Sequence, residues 1–342
     1  MSPMKILLLT PFLYSNRGNS TTAKRIASGL EQNGVDVTVF AYEEDAWNDE
    51  IDRQAKNCDL IHIIHFYRFS KWAKKTKFQL NKPYIMTNGG TDVNLDLYNL
   101  GNRAEMLDIL QNASAITVFT DDAKAKLCHA YSGMGLRIEV IMQSVWFPIS
   151  EENADDLKLG IGEPAILLPS GLRAVKDVFF LMEEIVGLQK KYPNLQFLIA
   201  GMVLDENIYE TLNQYIEKYS WIHFLENVPI ENMVSLYKWA HIVLNTSISE
   251  GQSSAILEAM EMGCVVLARN NPGNASIIED GVNGYLFNDG KEFLNKINVV
   301  LTEQEKAQRI IQNAKNFVQT NHYFEDEIKA FIKLYQDCLQ KP

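Results

Sequence analysis

Short apolar runs alternate with amphipathic stretches along most of this chain. Six runs in the first half, at 5–10, 35–40, 60–64, 84–87, 115–120 and 138–142, carry the apolar content and flanking turn residues of strands. Between the first two, Ala23, Ile26, Ala27 and Leu30 share one side of a predicted helix that stops near Gly34. Six further runs, at 165–168, 195–200, 222–224, 241–244, 265–268 and 284–287, repeat the alternation in the second half. Strands separated by helices need crossover connections, so each half predicts a parallel, doubly wound sheet. The fold class is therefore α/β, with two Rossmann-like domains. Ligands of such sheets bind beyond the carboxyl ends of the strands, and two sheets in succession predict a cleft between those ends. The polar, acidic, turn-rich stretch 151–162 reads as the linker, which leaves 1–150 and 163–320 as the two domains.

One stretch of the second half carries more than packing. Residues 245–263 read NTSISEGQSSAILEAMEMG and come directly after a strand-like run. The chain turns at Gly251 and Gln252, then opens a helix with Ser253 and Ser254. Ile256, Ala259 and Met260 give that helix its core face, and Gly263 supplies a stop. Glu250 precedes the turn, and Glu258 lies four residues beyond Ser254, so those two are neighbours on the helix surface. Taken alone, the stretch fits both a capped amphipathic helix with two solvated acids and a site for a nucleotide sugar.

Composition narrows the classes. At 342 residues the chain is comfortable for two domains, and 46% hydrophobic with 22% charged residues is ordinary globular content. A formal net charge of −11 argues against broad nucleic-acid binding, which needs a positive surface. Cys58, Cys128, Cys264 and Cys338 lack CxxC or Cys/His ligand spacing, so no metal site is expected and free thiols in a reducing compartment are. The opening MSPMKILLLTPF has too short an apolar run for a signal peptide, and no run reaches membrane-spanning length; a cytoplasmic protein is expected.

Other candidate chemistry lies at predicted strand ends. The loop after the first strand holds Gly18 but not G-x-G-x-x-G, and no G-x-x-x-x-G-K-[ST] occurs, which weakens nicotinamide and P-loop readings. His62 and His65 come at the end of the third strand-like run and are structural or site groups; His65, nearer the carboxyl end, is the better site candidate. Asn88, Gly89, Gly90, Thr91 and Asp92 come after the fourth strand. The glycines permit close approach to a ligand, and Asp92 either acts on an acceptor hydroxyl or caps the next segment. The segment 66–78, FYRFSKWAKKTKF, bounded by Phe66 and Phe78, interleaves five cations with aromatics. It reads as a surface helix packed on a sheet or as a peripheral contact with an anionic membrane. In the second half, GLRAVKD places Arg173 and Lys176 at a βα turn, where they form a solvated pair or meet a diphosphate. Asn271, Pro272, Gly273 and Asn274 form a further loop at a strand end.

These phrases converge on a resemblance. GLRAVKD, SEGQSSAILEAMEMG and PGNASIIEDGVNGYLF resemble retaining family 4 glycosyltransferases of the GT-B fold, and Glu250 and Glu258 reproduce that family's E-x7-E motif. The resemblance implies transfer of a sugar from a nucleoside-diphosphate sugar, on UDP or GDP, to a hydroxyl of a glycan, small-molecule or lipid-linked acceptor, with retention of configuration. It implies an acceptor-side domain at 1–150, a donor domain at 163–320 and a C-terminal helix, 321–342, crossing back to the first. Arg173, Lys176, Ser253, Ser254 and Gly18 would bind the diphosphate, Glu258 the ribose, and Gly251, Gln252, Gly89, Gly90 and Asn274 would line the donor sugar and cleft. Glu250, repelled by phosphate, would hold sugar hydroxyls and with Asp92 and His65 form the catalytic set. Protein cations and helix amides would neutralise the leaving diphosphate without a metal or cofactor. One departure stands out: where many members carry a histidine before G-[ST]-D, this chain has Gly89. A non-catalytic nucleotide-sugar-binding protein is the alternative that this departure leaves open, ahead of a phosphorylase or epimerase.

Overall fold

The computed structural model describes residues 3–148 and 162–340. The chain divides into two compact units, one built from Met1–Gln143 with Tyr323–Pro342 and the other from Ser144–His322. The predicted linker, apart from Gly162, lies outside the described residues.

In the first unit, strands β1 (Lys5–Thr10), β2 (Asp36–Ala41), β3 (Leu60–Ile64), β4 (Tyr84–Thr87), β5 (Ala115–Val118) and β6 (Ile138–Val140) form one parallel sheet. Its order is β2-β1-β3-β4-β5-β6, so the winding reverses between β1 and β3. Alternate residues serve opposite faces, as the period of a strand requires. Ile6, Leu8, Leu60 and Ile85 pack under α1 (Gly18–Gln32) and α14 (Phe324–Gln340). Leu7, Leu9, Ile61, Ile63 and Met86 pack on the other face, under α3 (Phe66–Thr76), α5 (Leu100–Leu110) and α6 (Asp121–Ala130).

Helix α14 belongs to this unit although the whole second unit, Ser144–His322, separates it in sequence from the rest. Gly29 of α1 gives it room, since a Cβ there would collide with Ile328. Arg25 and Glu327, each 1% exposed, join the two helices through a bidentate ion pair at 2.8 and 3.1 Å. Beneath them runs a buried polar chain: Tyr335 OH to His62 Nδ1 at 2.7 Å, His62 Nε2 to Thr87 at 2.6 Å, and Thr87 to Thr117 at 2.5 Å. His62 is thus a core group, and burial lowers its pKa from 6.5 to about 3.

The second unit repeats the plan with β7 (Ala165–Pro169), β8 (Gln196–Gly201), β9 (Ile222–Glu226), β10 (Ile242–Asn245), β11 (Val265–Arg269) and β12 (Tyr285–Phe287). The order β12-β11-β10-β7-β8-β9 reverses between β7 and β10. One face packs on α7 (Met182–Lys191), α8 (Glu206–Lys218) and α12 (Gly290–Thr302). The other packs on α9 (Ile230–Trp239), α10 (Ser254–Met262) and α13 (Gln304–Asn321). All twelve predicted strands form, with ends within a residue or two of the expected ones. One segment differs from expectation. Residues 272–275 form a helical turn, α11 (Pro272–Ala275), because Asn271 caps it through Asn274 N at 3.0 Å and proline fits its first position. The 66–78 segment is the surface helix packed on the sheet: Phe69, Trp72 and Phe78 pack with Phe40, Tyr42 and Trp47, at ring separations from 4.7 to 6.3 Å. Among the described residues no helix is long and apolar enough to cross a membrane.

The His62 environment fixes a pH dependence. Its folded pKa lies below the unfolded value, so the unfolded chain takes up the proton first and stability falls as pH drops from 6.5 toward about 3. Between about pH 6.5 and about pH 5 the loss should be about 2 kcal/mol. His62→Gln should flatten that part of the curve of melting temperature against pH; an unchanged slope would show that His62 is not its source.

Candidate functional site

Parallel sheets open a crevice where the strand order reverses, because the loops after the two neighbouring strands leave toward opposite faces. In the second unit these are the loops after β7 and β10, and they are tied together. Lys176, on a single 3-10 turn (Ala174–Lys176) after β7, reaches Glu250 after β10, Nζ to Oε1 at 2.6 Å. The same oxygen accepts from Ser247 Oγ at 2.6 Å and Asn245 Nδ2 at 3.2 Å. Backbone links run alongside: Thr246 Oγ1 donates to Lys176 O at 2.8 Å, and Ile248 N to Val175 O at 2.9 Å. The Lys176 and Glu250 side chains are only 17% and 12% exposed. Burial pushes the Glu250 carboxyl up, but the Lys176 charge and the hydrogen bonds from Lys176, Ser247 and Asn245 outweigh it and hold the group below its usual range.

Asn245, the last residue of β10, organises the loop. Its Oδ1 accepts from Ser247 N at 3.1 Å and Asn274 Nδ2 at 3.2 Å, and its Nδ2 also donates to Ser253 Oγ at 3.2 Å. Asn271 Nδ2 donates to Ser247 O at 3.0 Å, so α11 buttresses the loop from behind. Gly273 is required there, since any side chain would strike the Glu250 carbonyl. Arg269 completes the frame: it pairs with Asp177 at 2.7 Å, and its guanidinium lies 3.9 Å from the Phe180 ring centroid.

Beyond Glu250 the chain enters α10. Ser253 is its N-cap residue, but its hydroxyl is turned to Asn245 rather than to the helix amides, and the first turn holds no acid. The amide end of α10 therefore keeps its partial positive charge without a side-chain cap. Glu258, one turn along and buried, accepts a hydrogen bond from Tyr237 OH of α9 at 2.7 Å. Burial first, then the Glu258 charge, raises the Tyr237 pKa far above its usual value, so the phenol stays a donor.

The profile of the glycosyl transferases group 1 family matches residues 150–317. Glycosyltransferase 1 domain-containing protein 1 of Xenopus tropicalis is 31% identical over 342 residues, an alignment that covers 97% of each chain. The chain belongs to the glycosyl transferases group 1 family. Solved structures with the same architecture include Anabaena HepE in complex with UDP-glucose, at 18% identity and a TM-score of 0.77 over 98% of this chain and 100% of that one. Another is a sucrose-phosphate synthase of Thermosynechococcus elongatus, at 16% identity and 0.76 over 98% of both chains. At such identities the likeness speaks for the fold, which is GT-B, as the resemblance in the sequence implied.

Of the expected site residues of this glycosyltransferase, Lys176, Glu250, Ser253 and Asn274 fall in one hydrogen-bonded group. Gly251 and Gln252 lie on the short path between Glu250 and α10, Ser254 is the first residue of that helix, and Glu258 comes later on it. Arg173 starts the 3-10 turn and is exposed. Gly18 belongs to the first unit, where it is the exposed first residue of α1.

His65, Gly89, Gly90 and Asp92 also lie in the first unit and meet at the carboxyl ends of β3 and β4. Asp92 is fully buried, and its carboxylate accepts from the amides of Phe66 at 2.9 Å, Gly89 at 2.9 and 3.1 Å, and Val93 at 3.0 Å. It fastens the Gly89–Gly90 loop to the start of α3. His65 has a strained backbone, φ 75 and ψ 101. Its Nδ1 accepts from Arg68 N at 3.4 Å, which leaves the proton on Nε2 to meet Thr91 Oγ1 at 3.0 Å. Burial lowers its pKa, with Asp92 opposing, so the ring is held neutral. A Cβ on Gly89 would lie 2.5 Å from the His65 ring, so the imidazole fills the space that a side chain at position 89 would enter.

Asn245, Ser247, Tyr237 and Arg269 are residues of the candidate site that reading the sequence does not single out. Asn245 and Ser247 carry a signal, an N-x-S turn at a strand end; the others are brought in only by tertiary packing. Among the described residues no cluster of three or more His, Cys, Asp or Glu side chains is arranged to hold a metal ion.

The ion pair makes a stability prediction. In the wild type the depressed Glu250 pKa contributes stability above the ordinary value of 4.5, lost as pH falls through the folded value. Lys176→Met leaves the carboxylate with burial unopposed by a charge, at a cost of about 2 kcal/mol near neutrality. The deficit in melting temperature should shrink on acidification as Glu250 protonates. A deficit independent of pH would mean that packing, not charge, is what Lys176 supplies.

Proposed function

We propose that this glycosyltransferase takes its donor, a nucleoside-diphosphate sugar, at the β7/β10 reversal of the second unit and retains configuration at the transferred sugar. The single observation that carries the reading is the Lys176–Glu250 pair, which sets a cation and a carboxylate side by side next to the uncapped amide end of α10. A diphosphate leaving group gains negative charge as the bond from the anomeric carbon to the β-phosphate oxygen breaks. Lys176, Arg173 and the amides near Ser253 and Ser254 meet that charge, so no metal is required. Glu250 then orients donor-sugar hydroxyls, with Gly251 and Gln252 lining the same turn. The acceptor oxygen bonds to the anomeric carbon on the face the phosphate leaves, and its proton passes to the departing phosphate. Transfer should therefore persist in EDTA.

Glu258 takes the ribose hydroxyls. Tyr237 acts through it as a positioning residue by fixing one carboxylate oxygen. The UDP-glucose bound by HepE makes a UDP-sugar the first donor to test. The first unit serves the acceptor, a hydroxyl on a glycan, a small molecule or a lipid-linked sugar. There His65 supplies the imidazole and Asp92 holds its loop, in place of a side chain at Gly89.

The test is release of nucleotide and formation of glycoside from UDP- and GDP-sugars, read by mass, with NAD as control. Glu250→Gln should lower transfer by about 100-fold or more while the protein still binds nucleoside diphosphate; a wild-type rate would remove Glu250 from the reaction. Tyr237→Phe should reduce the preference for UDP over 2′-deoxy-UDP by roughly tenfold, the worth of one hydrogen bond to a charged group. A purely structural Tyr237 would lower the melting temperature and leave that preference intact.

A further inference from the structure

The segment 66–78 keeps its lysines outside although its aromatic side is consumed by the core; Arg68 is half-buried and lies 4.0 Å from Glu43. Phe69, Trp72 and Phe78 face inward, whereas Lys71, Lys74, Lys75 and Lys77 are exposed. Residues 66–77 hold five cations and no acid, in a chain of net charge −11. Arg68, Lys71 and Lys75 recur at helical spacing and form one stripe along α3. Lys74 lies beside it and reaches Glu105 of α5 at 3.0 Å, which fixes α5 against this side of the helix.

Next to that stripe the chain exposes large apolar side chains. Leu95 is 52% exposed, Tyr98 67% and Leu100 78%, around the single 3-10 turn Asp96–Tyr98 and the start of α5. Helix α3 packs along α5, with Ser70 Oγ donating to Glu105 O at 2.9 Å, and Asn102 of α5 donates to Asp96 of the turn at 3.0 Å, so the turn is tied to the helix that lies against α3. Three water-exposed apolar side chains within six residues are unusual on a soluble surface and mark a contact region. Their cationic border selects the partner. A bilayer with anionic headgroups takes apolar side chains into its interface, needs no shaped pocket, and attracts flexible lysines whose stems lie along the surface.

We propose that Leu95, Tyr98 and Leu100, bordered by Arg68, Lys71 and Lys75, form a docking face for an anionic lipid bilayer. The apolar anchor is therefore the 95–100 turn and not the aromatic side of α3. Binding is reversible, weakens as salt screens the lysines, and does not depend on the donor site.

The test is co-sedimentation of the full chain with vesicles of phosphatidylcholine, alone or mixed with phosphatidylglycerol. The chain should pellet with the mixed vesicles and release as salt is raised. Lys71→Glu combined with Lys75→Glu should cut binding by roughly tenfold or more. Tyr98→Ser combined with Leu100→Ser should reduce it at low salt as well, where charge alone would still hold the protein. All of these side chains are exposed, so melting temperatures should match the wild type. No pelleting with mixed vesicles, equal pelleting with neutral ones, or either double variant binding as the wild type does would overturn the proposal. So would a change of oligomeric state in the Tyr98/Leu100 variant without a change in sedimentation, since a second copy would then be what covers the face.

Discussion

Lys176 and Glu250 carry the constraint on which the second unit's loops depend. Two oppositely charged side chains, mostly out of water, offset their desolvation only when their geometry is good and further hydrogen bonds complete them. Both conditions are met by residues whose main task is to hold one another: Ser247 and Asn245 complete the carboxylate, and Thr246 ties back to the Lys176 carbonyl. Because Lys176 comes after β7 and Glu250 after β10, the pair also closes the point where the sheet reverses its winding. A loop that would otherwise be mobile is thereby fixed where an open α/β sheet binds ligands.

The first unit is held by a comparable device used for a different end. Arg25–Glu327 and the chain from Tyr335 through His62 to Thr117 are buried, satisfied networks that join the C-terminal helix to the sheet. Such networks cost much if half made, so they specify one docking of α14 over others. The strain at His65 has a similar origin in close-fitting parts. Asp92 pins the loop of Gly89 and Gly90 to the start of α3, and the imidazole is pressed into the space left beside Gly89.

Much of this architecture is legible in the sequence. The strands are, because buried parallel strands are short apolar runs set off by turn residues, and the period-3.6 face of Ala23, Ile26, Ala27 and Leu30 marks α1. The E-x7-E stretch, with GLRAVKD, carries the family. What is not legible depends on distance in sequence. Nothing local says that Lys176 pairs with Glu250, since 74 residues separate them, or that Tyr237 meets Glu258. The loop at 271–274 reads as a turn because a four-residue helix has no periodicity to detect. The aromatic stripe of 66–78 shows its amphipathic character correctly, but that Trp47 and Phe40 cover it is a tertiary fact.

The central claim is that the loops after β7 and β10, with the start of α10, receive a nucleoside diphosphate. Hydrogen–deuterium exchange of the full chain with and without saturating UDP measures this most directly. The account predicts slowed exchange in 170–177 and 245–258. Tight UDP binding that leaves both segments unchanged, or protection confined to other parts of the chain, would contradict it.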